Sequence, residues 1–359
     1  MNESAFSSII ERVKEFIARD FPGNCEEEFN AIAIDVFRLQ FNSVPAYRKF
    51  CERARVVPDK VAWWHDIPVL PIGAFKQVEV TSLEPSRRLR VFESSGTTAD
   101  RRSRNYHDPE SLALYETSVL AGFRTRFAAG VPSRFAFLTP SREAAPSSSL
   151  VHMLATLAGQ SGSGLHGAFW GRVDSAGNWE VCADDLVESL KFGAPVTMMG
   201  TAFNFVHLLD HLAASNQRLK LPEGSIAIET GGYKGRSRSM SKPALYELIE
   251  QYLGVRASQI ISEYGMCELA SQAYDGPSSS PEQRWFRFPH WVRTRIVSPE
   301  NRDEVSISEV GVLQVFDLAN VRSVLAIQTE DLAASTGEGF RLSGRASDVE
   351  PRGCSLMTA

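Results

Sequence analysis

The sequence predicts an α/β protein with a doubly wound, mostly parallel sheet and a smaller β-rich C-terminal subdomain. Between residues 89 and 275, short apolar runs alternate with longer segments of helical periodicity, which is typical of a parallel sheet covered by helices. A cluster of Gly, Pro and Ser at 275–281 interrupts this pattern. After residue 285 only short β-like runs separated by turn residues remain.

The elements can be placed in order along the chain. Apolar runs predict strands at 89–92, 134–138, 195–199, 225–228 and 259–263, with further β-runs at 291–297, 311–316, 323–328 and 340–342. Helical periodicity predicts helices at 112–127, 150–158, 201–212 and 241–253. Thr201 and Ser241 are the expected N-caps, and Pro243 followed by Gly254 marks the first turn and the end of the last helix.

This pattern divides the chain into four parts. Residues 1–88 are expected to form an N-terminal helical region, and 89–275 an α/β core. Residues 285–345 form the β-rich subdomain, and 346–359 form a C-terminal tail that contains Cys354.

Composition excludes several classes of protein. The 359 residues are 43% apolar and carry 38 basic and 43 acidic side chains, a net charge of −5. These values argue against a disordered chain and against a strongly basic protein that binds nucleic acid. No apolar run is long enough to span a membrane, and the first 19 residues read as an amphipathic helix instead of a secretory signal. The five cysteines show no CxxC spacing, which favours a cytoplasmic protein without disulfides or a zinc site.

A turn rich in Ser, Thr and Gly directly follows the first strand of the core. It comprises Ser94, Ser95, Gly96, Thr97 and Thr98. Such a turn offers the closely spaced N–H and hydroxyl donors that bind a phosphate chain, and the nearby Arg101, Arg102 and Arg104 could neutralise its charge. A solvated polar turn followed by a surface charge run is the alternative, and the spacing is not that of a P-loop.

Two further clusters lie at strand ends, where open α/β sheets bind their ligands. Tyr264, Gly265 and Glu268 follow the strand at 259–263. Glu268 is a candidate ligand for Mg²⁺ beside substrate phosphates, or else an ordinary surface carboxylate, while Tyr264 either stacks on a base or fills the core. Asp331 is a candidate to accept hydrogen bonds from a ribose, and Arg345 is a candidate to close over that ribose.

Taken in order with the Gly231 and Gly232 pair, these clusters resemble the adenylate-forming superfamily, whose members make acyl-adenylates from a carboxylic acid and ATP. More narrowly, the chain resembles the acyl-protein synthetase family, the fatty-acid-activating component of bacterial luminescence fatty-acid reductases. The segments that carry this narrower resemblance are 67–76, 200–203, 229–235, 263–274 and 344–356.

The resemblance implies roles for the clusters. The turn at 94–98, the glycine pair, Tyr264 and Gly265 would bind ATP, Glu268 would hold Mg²⁺, and Asp331 with Arg345 would bind the ribose. Two positions depart from the superfamily pattern. Residues 99–102 replace the usual continuation of the phosphate loop, and Cys267 stands where Thr is usual, which puts that hydroxyl's phosphate contact in doubt because a thiol is the poorer donor.

The sequence ends fourteen residues after Arg345, so we expect an adenylate-forming core without the usual C-terminal lid domain. Members of the acyl-protein synthetase family pass the acyl group to a cysteine near their own C-terminus, and Cys354 matches that place. Arg352 could raise its thiolate fraction, whereas Glu350 would oppose that effect. A structural or incidental cysteine is the alternative.

These expectations combine into one function, an ATP-dependent ligase that needs Mg²⁺, activates a carboxylic (fatty) acid and loads it on Cys354 as a thioester. The partner would be an acyl reductase or acyltransferase, with neither nucleic acid nor a membrane span involved. One alternative hands the acyl group to CoA, a carrier protein or an amine. Another is an inactive subunit that binds nucleotide and scaffolds a reductase complex. The acid and the oligomeric state are not indicated by the sequence.

Three other motifs point to function less well. The glycines at 162–167 read as GxGxxG but follow a helix instead of a strand, which is the wrong context for a dinucleotide. His207 and His211 have the spacing of metal ligands on a helix, although Asp210 between them does not fit HExxH. Ser141 lacks the GxSxG context of a serine hydrolase.

Overall fold

A computed structural model describes residues 3–19, 25–94, 102–128, 130–159, 167–191, 193–231, 240–276 and 284–345. The helices are α1 (Glu3–Ala18), α2 (Glu26–Ser43), α3 (Pro45–Arg53), α4 (Ala74–Gln77), α5 (Pro109–Arg126), α6 (Ser149–Gly159), α7 (Ala183–Leu190), α8 (Ala202–Ala214) and α9 (Lys242–Leu253). The strands are β1 (Leu70–Pro71), β2 (Arg90–Glu93), β3 (Arg104–His107), β4 (Arg134–Phe137), β5 (Gly167–Phe169), β6 (Gly171–Val173), β7 (Trp179–Val181), β8 (Val196–Thr201), β9 (Ile226–Thr230), β10 (Ile260–Tyr264), β11 (Ala273–Asp275), β12 (Phe286–Arg287), β13 (Val292–Val297), β14 (Val310–Asp317), β15 (Ala326–Ser335) and β16 (Phe340–Arg345).

One large sheet organises the described part of the chain. Its strand order is β13-β14-β15-β16-β12-β11-β10-β9-β8-β4-β5, and β1 adds in parallel beside β15. The half from β10 to β5 is parallel, and the half from β11 to β13 is antiparallel. The predicted fold class is therefore confirmed, and the C-terminal β-strands continue the parallel sheet through β11 and β12.

Two hydrophobic clusters cover the two faces of the parallel half. Phe135 and Phe137 of β4 belong to the larger cluster, with residues of α1 to α3, α5 and α6. The alternate residues Ala136 and Leu138 belong to the second cluster, with residues of α7, α8 and α9. Because side chains of a strand alternate between its faces, helices cover both sides of the sheet, as a doubly wound fold requires.

The strand predicted at 89–92 forms outside the large sheet. β2 pairs with β3 in a separate two-stranded antiparallel hairpin. Local apolar pattern indicates a strand but not its partner, so the sequence could not distinguish these two placements. The hairpin matters because Ser94 directly follows β2.

The predicted caps of α8 and α9 are confirmed. Thr201 Oγ1 accepts a hydrogen bond from the Asn204 backbone N–H, and the Thr201 N–H donates one to Asn204 Oδ1. Ser241 caps α9, and Gly254 ends it in the left-handed region at φ 73°, where glycine has no steric penalty. Both helices therefore begin where short polar side chains satisfy free N–H groups.

The predicted N-terminal helix also forms, and the N-terminal helices pack against the C-terminal strands. In α1 the buried side chains are Phe6, Ile9, Ile10, Val13, Phe16 and Ile17. The buried Gln40 of α2 donates to the carbonyls of Asn320 and Val321, and the ring of Trp64 lies 4.8 Å from that of Phe316. Among the described helices, none combines the length and apolarity needed to cross a bilayer.

Candidate active site

The β2–β3 hairpin holds the start of the predicted phosphate loop. The Ser94 N–H donates to the Ser103 carbonyl, and the Ser103 N–H donates to Ser94 Oγ, both at 3.0 Å. Arg102 and Arg104 contact Glu93 at 3.4 and 3.2 Å, and both guanidinium groups are exposed. Ion pairs of this kind contribute little to stability, so these arginines can exchange their partner for another anion at low cost.

Several predicted site residues lie outside the described part of the chain. They are Ser95, Gly96, Thr97, Thr98, Arg101, Gly232 and Cys354. Their roles remain predictions from the sequence. Gly231 is described, and it follows β9 at φ 65°.

The turn after β10 is held from two sides. Asn105 of β3 donates to the Cys267 carbonyl at 3.1 Å, and Asn320 donates to the Glu268 carbonyl at 2.8 Å. The Cys267 thiol donates to Glu268 Oε2 at 3.2 Å. The side chain at position 267 therefore fixes the orientation of the Glu268 carboxylate, although a thiol replaces the usual hydroxyl.

The predicted ribose-binding residues meet at the same place. Asp331 and Arg345 are paired residues of β15 and β16. Tyr264 donates its hydroxyl to Asp331 Oδ2 at 2.7 Å, and Arg345 Nε lies 3.3 Å from Asp331 Oδ1. The structure therefore brings Tyr264, Asp331 and Arg345 into one cluster, as the sequence predicts for a shared ligand.

The ring of Tyr264 fills the core, one of the two roles that the sequence left open. It packs against Phe286, Phe288 and Phe340, with ring centroids 5.5–6.1 Å apart. Burial raises the pKa of Tyr264 well above its usual value, and the Asp331 carboxylate adds to the effect. The phenol therefore stays protonated and serves as a permanent donor to Asp331.

Sequence reasoning did not single out a cluster in which the exposed Lys242 meets buried polar side chains at this edge of the sheet. Lys242 Nζ lies 3.0 Å from Glu229 Oε1 and donates to Ser262 Oγ, and Tyr246 donates to the same Glu229 oxygen at 3.1 Å. Glu229 is a buried residue of β9, two positions before Gly231. A glutamate near the end of an otherwise apolar strand is the signal that could have found it.

Glu263 of β10 is a second buried carboxyl at this edge. Thr230 donates a hydrogen bond to its Oε2. Burial raises the pKa of Glu263 to about 7. The hydrogen bond from Thr230 and the positive charge of Lys242 lower this pKa, whereas the negative charge of Glu229 raises it. A buried carboxyl group whose pKa is raised to about 7 beside other charged side chains is a candidate functional residue.

Behind Ser94, Phe92 of the hairpin packs against two buried histidines, His107 of the hairpin itself and His152 of α6. The rings of His107 and His152 lie 4.9 and 5.3 Å from that of Phe92. His152 Nε2 lies 2.9 Å from Glu116 Oε1, whereas neither ring nitrogen of His107 has a hydrogen-bond partner in the described part of the chain. Burial lowers the pKa of His107 from 6.5 to about 4, and the nearby His152 contributes.

His107 is therefore expected to make the fold sensitive to acid. Its pKa is lower in the folded than in the unfolded chain, so the unfolded state takes up the proton first and stability falls as the pH drops below about 6.5. Between pH 7.5 and 5 this loss amounts to about 2 kcal/mol. In urea unfolding, the free energy of unfolding of His107→Leu should fall by about 2 kcal/mol less than that of the wild-type protein over this pH range.

The matched control for that measurement is His65→Gln, because the His65 side chain is 46% exposed. It should retain the wild-type pH dependence of the free energy of unfolding. If the free energy of unfolding changes equally with pH in His107→Leu and in the wild-type protein, His107 is not the group that makes the fold sensitive to acid.

The two histidines with metal-ligand spacing on α8 have structural partners. His207 Nδ1 accepts from the Val181 N–H at 3.2 Å, and His211 Nε2 lies 2.9 Å from Asp184 Oδ1. Over the described ranges no group of three or more His, Cys, Asp or Glu side chains could hold a metal ion. A single carboxylate such as Glu268 is still compatible with Mg²⁺, which binds through one or two carboxylates together with substrate phosphates.

Comparison with known proteins supports the fold. No protein-family model matches the sequence, and no curated protein sequence matches it. The structure is similar to 2-hydroxyisobutyryl-CoA ligase in its postadenylation state with 2-HIB-AMP, with a TM-score of 0.64 at 14% identity over 92% of this chain and 73% of the ligase. The open conformation of that ligase with 2-HIB-AMP and CoA also gives 0.64 at 14% identity, over 94% and 82% of the two chains. At this identity the similarity establishes a shared fold, the one that the sequence predicts.

Proposed function

We propose that this protein uses ATP to activate a carboxylic acid as an acyl-adenylate and then transfers the acyl group to Cys354 as a thioester. The family resemblance favours a fatty acid as the substrate and an acyl reductase or acyltransferase as the partner. The observation that carries the proposal is the contact of Tyr264 and Arg345 with Asp331, beside the turn that holds Glu268.

Asp331 is suited to bind the ribose. A carboxylate accepts hydrogen bonds from two adjacent hydroxyl groups, and Tyr264 fixes the orientation of this one from the core side. The Arg345 side chain is 64% exposed, so a bound nucleotide can displace it from Asp331 at little cost. These two contacts leave the carboxylate oriented but available.

The triphosphate would lie between the hairpin and the turn after β10. Ser94 marks the start of the phosphate loop, and Arg102 and Arg104 lie beside it with exposed guanidinium groups. Glu268 would hold Mg²⁺, which would supply positive charge to the phosphates. The link from Asn105 to Cys267 fixes the hairpin relative to this turn, which supports a preorganised phosphate site.

The chemistry proceeds in two steps. A carboxylate oxygen of the acid attacks the α-phosphorus of ATP, the bond from that phosphorus to the bridging oxygen breaks, and pyrophosphate leaves. The Cys354 thiolate, having lost its proton to solvent, then attacks the acyl carbonyl carbon. The bond from that carbon to the AMP oxygen breaks, AMP leaves, and the acyl group remains on sulfur.

Intact-protein mass spectrometry tests the second step. After incubation with ATP, Mg²⁺ and the acid, the wild-type protein should gain the mass of the acyl group, and hydroxylamine should remove it. Cys354→Ala should lose the adduct and retain pyrophosphate release. The matched control is Cys182→Ala, which removes a half-buried free cysteine and should retain the adduct.

The possible outcomes separate the alternatives. Pyrophosphate release without any adduct would mean that the acyl group goes to CoA, a carrier protein or an amine. If none of a panel of carboxylic acids leads to pyrophosphate release, adenylation is contradicted. The remaining alternative is then the inactive subunit that binds nucleotide and scaffolds a reductase complex.

A further inference from the structure

Glu263 occupies an unusual position for a carboxyl group. It is the second-to-last residue of β10 and is 5% exposed. One oxygen accepts from Thr230, and the other lies over the strand end, 2.5 Å from where a Cβ at position 265 would lie. A side chain at position 265 would therefore displace this carboxyl group, which reaches the edge at which Tyr264 and Gly265 begin the nucleotide site.

The face of the sheet on which Glu263 lies is mostly apolar. Glu263 lies on the side of the sheet that α5 covers. Burial raises the pKa of Tyr115 in α5, and the charge of Glu263 raises it further. Phe123, Phe135 and Phe137 line the same cluster. A buried carboxyl group needs hydrogen bonds to offset the loss of water, and Thr230 supplies one of them to Oε2.

Tyr274 provides a second polar atom on the same face. It pairs directly with Glu263 across β10 and β11 and is 3% exposed, and directly paired residues have Cβ atoms about 5 Å apart. Its ring packs against Phe123 and Phe127, with centroids 6.3 and 5.7 Å away. The Tyr274 hydroxyl has no hydrogen-bond partner within the described ranges, and a buried hydroxyl rarely remains without one.

The two groups demand complementary partners. The Glu263 carboxylate accepts hydrogen bonds, and the Tyr274 phenol has one to donate. Of the groups that an acid might carry, a hydroxyl can both donate to Glu263 and accept from Tyr274. An ammonium group only donates, a carbonyl only accepts, and a hydrocarbon chain does neither.

We propose that Glu263 and Tyr274 select carboxylic acids that bear a hydroxyl group, so that the substrate is a hydroxylated acid instead of a plain alkanoic acid. The inference rests on the proposed function, because it assigns the acid that meets the nucleotide at Gly265. The position of Glu263 directly before Tyr264 and Gly265 places the recognised hydroxyl near the carboxyl end of the acid.

The test compares pairs of acids of equal chain length, one hydroxylated at the second or third carbon and one unsubstituted. Pyrophosphate release gives kcat/KM for each member. The wild-type protein should prefer the hydroxylated member of at least one pair by about tenfold or more, because a site built for a hydroxyl rejects the analogue that lacks it. Glu263→Leu should abolish or reverse that preference, and Tyr274→Phe should reduce it several-fold.

Tyr115→Phe is the matched control. It removes a buried phenol whose hydroxyl already donates to the Ser149 carbonyl at 3.1 Å, so the preference should not change. If Glu263→Leu does not fold, Tyr274→Phe still decides the question, because it removes only an oxygen atom that lacks a partner in the described structure.

The outcomes also separate this inference from the proposed function. Equal kcat/KM for both members of every pair, with pyrophosphate released, would overturn the selection of hydroxylated acids and leave adenylation intact. A preference that survives both Glu263→Leu and Tyr274→Phe would overturn the assignment to these residues. No pyrophosphate from any acid would overturn the proposed function, and this inference with it.

Discussion

Replacing Arg322 with methionine should lower the free energy of unfolding by about 3–5 kcal/mol, the usual cost of removing one partner of a buried ion pair. The Arg322 side chain is 1% exposed, and its Nη2 lies 2.6 Å from Asp108 Oδ2 and 2.9 Å from Glu3 Oε2. It also lies over the Phe6 ring, 4.0 Å from the centroid. The substitution would leave the fully buried Asp108 carboxylate without its closest cation.

Urea unfolding of Arg322→Met measures this loss. The matched control is Arg172→Met, which breaks the exposed pair with Glu180 and should cost no more than about 1 kcal/mol. The double variant Arg322→Met with Asp108→Asn should recover part of the loss, because asparagine retains the N-cap of α5 without the charge. Equal effects of Arg322→Met and Arg172→Met would show that the buried pair does not stabilise the fold.

This ion pair also illustrates what the sequence could not predict. Asp108 and Arg322 are 214 positions apart, and no local pattern relates them. Asp108 precedes α5 as a cap, and Arg322 precedes β15, so each has an ordinary local role when read alone. Their contact exists because α1, α5 and the C-terminal strands pack in one cluster, and that packing is decided by the whole chain.

The parts of the fold that were predicted correctly depend on local signals. Thr201, Ser241 and Gly254 act within one helical turn, and the apolar periods of α5 and β10 are set by neighbouring residues. The short strands β11 and β12 were not predicted. They have three and two residues, too few to show a period. They form because neighbouring strands supply hydrogen-bond partners, β10 and β12 for β11 and β11 and β16 for β12.

The candidate site also contains residues that the sequence predicts and residues that it does not. The cluster of Tyr264, Asp331 and Arg345 was predicted because strand ends of an α/β sheet converge and because the order of motifs resembles a known superfamily. Glu263 and Lys242 were overlooked as functional candidates. The significance of Glu263 depends on its burial and its contact with Thr230, and that of Lys242 on its contact with the buried Glu229. The sequence reveals neither.

The second large effect concerns the charge of Glu268. Glu268→Gln should reduce kcat/KM for pyrophosphate release by about 10²–10³-fold, the range for losing one group that stabilises developing charge. Glutamine has nearly the same shape and keeps an acceptor oxygen for the Cys267 thiol, which donates to Glu268 Oε2 at 3.2 Å. The main change is the loss of the negative charge that would hold Mg²⁺.

A magnesium titration distinguishes this loss from a structural defect. Glu268→Gln should need a higher Mg²⁺ concentration for half-maximal rate while its urea unfolding differs little from that of the wild-type protein. Glu330→Gln is the matched control, because Glu330 is exposed and immediately precedes Asp331, so its removal should leave both measurements unchanged. A wild-type rate and magnesium requirement in Glu268→Gln would contradict the role of this carboxylate, and the metal would then have to be held by the phosphates or by residues elsewhere in the chain.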